Sequence, residues 1–298
     1  MDSSDRETRR AERRARTRRR RFAALASVIG VGIVVVASVV VASGGSNAEP
    51  DPAPAPQAQA SRPSTTAPTK TAPAGPSPKG PSPQQIRPVV PGPAKVITEG
   101  PASAGRKVAL TIDDGTCAAC VDRILDVLEA TGGKVTLFPN GTYGASWGPQ
   151  AKRIRALVAN GQVTLGNHTY SHGVSTQIGA SAFSADLQRN EDWIQKTFKL
   201  SGRPWFRPPY GDHNASIDAA AGELGYRKVI MWSGTVADSQ PRSEGYILDA
   251  IDYWAKPGSI ILMHANYPAT AKALPKIFRM LEKRRLEPVT LAELLSPS

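Results

Sequence analysis

Val108-Ala109-Leu110-Thr111-Ile112-Asp113-Asp114-Gly115 is an apolar run that stops on two adjacent carboxylates. Its length and composition are those of a buried strand, and the glycine after the acids marks where the strand gives out. Within a regular strand, neighbouring side chains point to opposite faces. At a strand end with glycine next, the backbone can bend and bring Asp113 and Asp114 towards one spot. Taken alone, Asp114-Gly115 is a simple turn. Taken with a cation, one carboxylate ligates while the other stays free to accept a proton, the division of labour that metal-assisted hydrolysis requires.

Further strand-like runs follow at Val135–Phe138, Val163–Leu165, Trp205-Phe206, Val229–Trp232 and Ser259–Met263. Helix-like segments lie around them at Val121–Ala130, Ala151–Asn160, Ala185–Phe198, Ser216–Leu224, Ile247–Ala255 and Thr270–Arg285. This alternation predicts a parallel α/β sheet or barrel, in which chemistry collects where strands end. The polar clusters obey that rule. Gly166-Asn167-His168-Thr169-Tyr170-Ser171-His172 follows one strand-like run, Arg207-Pro208-Pro209-Tyr210-Gly211 another, and His264 a third. The chain has four histidines, and His168 and His172 stand four apart. On a helical turn that spacing puts both imidazoles on one face, ready for zinc or a related divalent cation. An isolated HxxxH is equally the pattern of two surface histidines on a polar loop. A lone histidine such as His264 is ordinarily a packed or hydrogen-bonded residue, and His213 reads as a loop residue.

Taken together, these pieces resemble the polysaccharide deacetylases, the NodB homology domain or carbohydrate esterase family 4. T-I-D-D-G, H-T-Y-S-H, R-P-P-Y-G and L-M-H arrive in family order across residues 106–298. The resemblance implies a distorted (β/α) barrel of seven strands, a divalent metal, most often zinc, and hydrolytic removal of acetyl groups from sugars. Carried over residue by residue, it makes Asp114, His168 and His172 the metal ligands. It makes Asp113 the general base, Arg207 the residue that orients and ionises it, and His264 the general acid. The backbone N–H of Tyr210 joins in stabilising the oxyanion. One motif departs from the pattern. Where the family has D-x-x-D-W, alignment on Trp232 gives Thr235, Asp238 and Ser239. Either Asp238 supports His264 through a local shift or His264 lacks that support, and the absent tryptophan changes one wall of the sugar groove.

The remainder of the chain speaks to location. Residues 1–21 hold ten arginines and four acids, a net +6 of the chain's +12. Such a run invites a nucleic-acid reading, but residues 22–42 follow without a single charge and would rise about 30 Å as a helix, the thickness of a bilayer core. The arginines are then a topology signal that keeps the N-terminus cytoplasmic, and no nucleic-acid partner is expected. The expected layout is a basic tail (1–21), a transmembrane anchor (22–43), a disordered Pro/Ala-rich linker (44–105) and the catalytic domain (106–298). Secretion after cleavage near Ser46-Asn47-Ala48 is the alternative to a retained single-pass anchor. The linker holds 14 prolines between Pro50 and Pro93 and could reach on the order of 150 Å at about 3.1 Å per residue, enough to carry a domain into a cell wall. Cys117 and Cys120 are the only cysteines; outside the membrane they are expected as a local disulfide rather than a metal half-site or redox pair. The expected activity is metal-dependent N-deacetylation of a cell-envelope amino-sugar polymer, peptidoglycan first. The alternatives are deacetylation of chitin oligomers or acetylated xylan, or a wall-binding module with impaired turnover.

Overall fold

The central strand of the molecule fills both of its faces with buried side chains, as strands do in parallel sheets covered on both sides. The computed structural model describes residues 84–296. Its strands, in chain order, are β1 (Lys95–Ile97), β2 (Lys107–Asp114), β3 (Val135–Pro139), β4 (Val163–Leu165), β5 (Trp205–Phe206), β6 (Lys228–Ile230), β7 (Gly234–Thr235), β8 (Ile260–His264) and β9 (Glu287–Val289). The longer helices are α1 (Ala118–Thr131), α2 (Ala151–Ala159), α3 (Ser175–Phe198), α4 (Ala215–Glu223), α5 (Glu244–Trp254) and α6 (Pro268–Lys283).

Along β2, Val108, Leu110 and Ile112 join the main core, which includes Val121, Ile124 and Leu128 of α1 and Leu274 and Ile277 of α6. Ala109 belongs to a second core with Phe138, Ile260, Val289 and Leu291. Thr111 and Asp113 continue the Ala109 side and are also buried. The two-residue period of the strand thus sends one set of side chains to the helices and the other inward.

All strand pairings are parallel, in the orders β4-β3-β2-β8-β7 and β1-β6-β5, with β9 against the start of β2. An isolated bridge from Asn167 to Phe206 links the end of β4 to β5. Residues 231–233 carry the chain from β6 directly into β7, so the strand path returns towards its start and the architecture is barrel-like. Seven strands are expected from the resemblance; among the described residues there are nine. The run read as Val229–Trp232 is β6 only to Ile230; the Met231 N–H still donates to the Ile97 carbonyl and the Ser233 N–H to that of Ile260, while the Ile230 and Met231 carbonyls accept from Arg207.

The basic tail, the apolar span and the linker up to residue 83 lie outside the described residues. Among the described residues no helix is long and apolar enough to cross a membrane. The linker boundary expected at residue 105 is too late. β1 pairs with β6, and the Gln84 side chain bonds to Leu165 and Ser201, bridging the seam between β4 and the segment before β5. Helix α3 begins at Ser175 rather than Ala185, with one non-helical residue inside it, Gly179 at φ 79°. Cys117 and Cys120 form the expected disulfide, at the N-terminus of α1.

Candidate active site

Strand register assembles the site. In the β2–β8 pairing Asp113 lies opposite His264. The bridge between Asn167 and Phe206 sets the next residues, His168 and Arg207, side by side, and His168 Nδ1 bonds to the Arg207 carbonyl at 2.7 Å. That bond places the proton of the neutral ring on Nδ1 and leaves Nε2 facing the acids.

Asp113 and Asp114 do turn to one side, but the bend falls on Asp114 itself, whose φ is 68°. Gly115 follows at φ 110°, and a Cβ there would sit 2.1 Å from the Trp147 ring. Trp147 Nε1 in turn donates to the Asp114 carbonyl at 2.6 Å. The histidines correct the sequence reading in a similar way. They do not share the face of a helical turn: residues 168–174 form no helix, and Thr169 and His172 take φ values of 60° and 59°. Asn140 donates to the His168 and Thr169 carbonyls, and Asp186 accepts from the Ser171 N–H and hydroxyl, so polar side chains hold this loop where a helix would hold itself. Tyr210 (φ 60°) and Ala237 (φ 51°) are left-handed too, which places five of the seven such non-glycine residues among the described residues at or beside the site. Backbone strain of this kind costs on the order of 1–3 kcal/mol per residue and persists only where the surroundings enforce it.

Asp114 Oδ1 lies 3.1 Å from His172 Nε2 and 3.5 Å from His168 Nε2. All three ligand atoms fall within 4.8 Å of one another. Yet Asp114 Oδ1 is buried without an aligned hydrogen bond. Ligands at about 2.0–2.2 Å from a tetrahedral cation lie roughly 3.4 Å apart, and the two carboxylate–imidazole separations match that spacing, so the donor set suits a zinc-like ion. Burial would raise the Asp114 carboxyl, but the bonding and charge of His168 and His172 outweigh it and hold the group well below the usual carboxylate range. Burial likewise opposes a proton on His168, and Asp113 and Asp114 outweigh it to lift that imidazole above its ordinary value. The cluster draws in positive charge, which a divalent cation would supply.

Beside it, Asp113 Oδ1 accepts from Arg207 Nη1 at 2.9 Å, while Oδ2 lies 3.7 Å from His168 Nε2. Arg207 is fully buried. Its guanidinium donates to the Ile230 carbonyl, the Thr111 hydroxyl and the Met231 carbonyl as well as to Asp113, and stacks 4.5 Å above the Phe138 ring. Burial lowers its pKa, with Asp113 opposing the shift.

Asp238 is in place. Its Oδ1 lies 2.8 Å from His264 Nδ1, and its Oδ2 accepts from the His264 backbone N–H and the Thr270 hydroxyl. The left-handed Ala237 makes the local shift that the departed motif needs. Burial disfavours the imidazolium, but the bond and charge of Asp238, aided by Asp113 and Asp114, push His264 up to about 9. Tyr210 stands at the rim, 65% exposed, its ring 4.7 Å from that of His172. His213 is apart from this group and bonds to Asp218. The sequence reading missed Trp147, Asn140, Thr270 and Asn266. Only Asn266, two residues past the L-M-H motif, carried a positional signal.

Residues 101–229 match the family described as polysaccharide deacetylase. The peptidoglycan-N-acetylmuramic acid deacetylase PdaC of Bacillus subtilis is 31% identical over 63% of this chain, and the match spans 38% of its own length. A family 4 carbohydrate esterase of Streptomyces lividans, solved with acetate, is 30% identical with a TM-score of 0.54, covering 62% of this chain and 91% of that one. A solved peptidoglycan N-acetylglucosamine deacetylase is 27% identical with a TM-score of 0.62, covering 68% and 94% respectively.

Proposed function

Because the chain belongs to the polysaccharide deacetylase family, carbohydrate esterase family 4, we propose that it is a zinc-dependent hydrolase that removes N-acetyl groups from peptidoglycan amino sugars. The observation that carries this reading is the convergence of Asp114, His168 and His172 on one point, with a carboxylate outside the ligand set, Asp113, beside it. Asp114 Oδ1 and the two Nε2 atoms would hold the cation, which supplies Lewis-acid polarisation of the acetyl carbonyl and a lowered pKa for the attacking water. Asp113 takes the proton of that water on Oδ2, while Arg207 holds Oδ1 and fixes the direction of the carboxylate. The Tyr210 N–H donates to the oxyanion that develops on the acetyl carbonyl oxygen as its carbon becomes tetrahedral. His264, charged through its bond to Asp238, gives a proton from Nε2 to the departing amine. Amide and water become amine and acetate, and both proton transfers have a named donor or acceptor.

The substrate class rests on the peptidoglycan deacetylases among the relatives, and on a charge-free span at 22–42 followed by a proline-rich spacer. Those segments would anchor the chain in the membrane with its catalytic domain outside. Acetate release should be measured from peptidoglycan, N-acetylglucosamine oligomers and acetylated xylan. Release from peptidoglycan, abolished by a chelator and restored by zinc, is the expected result; xylan as the preferred substrate would overturn the substrate assignment.

A further inference from the structure

Asp114 can serve as a ligand with one oxygen or with two, and Asn266 decides between them. Beyond His264 the chain stays paired with β2 for one more residue, Ala265 N donating to the Asp113 carbonyl at 3.0 Å. This sets Asn266 against the end of β2. Its Oδ1 accepts from the Gly115 N–H at 3.3 Å, the Thr116 N–H at 3.1 Å and the Thr116 hydroxyl at 3.0 Å. Three donors converging on one atom fix which end of the amide is oxygen. Nδ2 must therefore face the other way, where it donates to Asp114 Oδ2 at 2.7 Å. One oxygen of the carboxylate is capped by this bond, and the other, Oδ1, is the buried atom with no hydrogen bond.

We propose that Asn266 is a positioning residue that restricts Asp114 to one-oxygen ligation and so keeps a coordination position open for substrate. The inference rests on the zinc reading above. A catalytic zinc site has three protein ligands and one open position; a carboxylate free to swing its second oxygen inward would fill that position. An amide suits the task because it donates without adding charge, and because its far end is anchored by backbone N–H groups of the loop that follows β2.

The test compares the full chain with Asn266→Leu, Asn266→Ala and Thr116→Val, each stripped of metal and titrated with zinc against a chromophoric chelator. Both Asn266 variants should lose roughly 10- to 100-fold in zinc affinity, the usual effect of removing a ligand's hydrogen-bond partner. Thr116→Val, which keeps the Nδ2 donation, should stay within about twofold of the parent. With cobalt in place of zinc, the Asn266 variants should show a weaker visible band as the second Asp114 oxygen enters the coordination sphere. Unchanged affinity and cobalt spectra in both Asn266 variants would overturn the proposal, and so would equal losses in Thr116→Val, which would reduce Asn266 to a loop staple. A parent chain that binds neither ion would instead overturn the metal reading itself. Thermal melting of the metal-free proteins separates these outcomes from failure to fold.

Discussion

Asp113 with Arg207 and Asp238 with His264 are the same device built twice, a carboxylate held against a cationic side chain on either side of the site. The difference lies in which partner can lose its proton. Arg207 stays charged at any working pH, so Asp113 faces a fixed positive charge, the setting the proposed mechanism gives to its base. His264 titrates, so its pairing with Asp238 works in the opposite sense and keeps an imidazole charged near neutrality, fit to act as an acid. In the proposed mechanism one electrostatic arrangement serves opposite roles because guanidinium and imidazolium differ in acidity.

The strongest way to break this contrast is to neutralise the base. Asp113→Asn should lower acetate release by about 10²–10⁴-fold, the range for loss of general acid–base catalysis, while zinc content per chain stays at the parental level; an empty site would contradict the split of roles between the two acids. Arg207→Met should act on the fold as well, since it leaves a buried carboxylate without its partner, a change that costs about 3–5 kcal/mol. Urea unfolding reads this directly, and a variant as stable as the parent would show that Arg207 is not what makes Asp113 tolerable.

Asp238→Asn sharpens the other half. In the proposed mechanism protonated His264 is the working form, so activity should fall as pH rises through its pKa of about 9; without Asp238 the alkaline limb should move towards the ordinary 6.5. Stability follows with the same sign. The raised folded-state pKa makes the pairing's contribution complete below 6.5 and lost as pH rises through about 9. A pH–rate profile with an unmoved alkaline limb would separate His264 from the acid role. The smallest effect is expected from converting both Cys117 and Cys120 to serine. A loop this short contributes about 2 kcal/mol by chain entropy, so the melting temperature should drop modestly with turnover largely kept.

The two pairs also differ in how far the sequence betrays them. Asp113, Arg207 and His264 sit at strand ends, where apolar runs stop on polar residues, and their neighbours follow from parallel register. Asp238 had only a damaged motif to mark it, and its contact with His264 depends on a left-handed Ala237 that alanine does not advertise. His168 and His172 were legible as a pair, but their route to one point was not. The i,i+4 spacing is satisfied by a helix or by a loop with two left-handed residues, and the choice rests on distant polar anchors, Asn140 and Asp186. β7 (Gly-Thr) and β9 (Glu-Pro-Val) escaped for a simpler reason: neither is an apolar run, unlike the equally short β4 and β5. β1 was hidden by its prolines. Residues 84–105 have the composition of a spacer, yet they are fastened to the barrel by β1 and by one glutamine.

That glutamine has a practical consequence. Gln84 spans the seam with a single amide, accepting the Leu165 N–H and donating to the carbonyls of Leu165 and Ser201, one residue before the segment that carries His168. A recombinant fragment cut at the compositional boundary near 106 would lose this clasp and expose the margin of β4 beside the histidine loop. Fragments intended to be free of the N-terminal span should therefore begin upstream of Gln84.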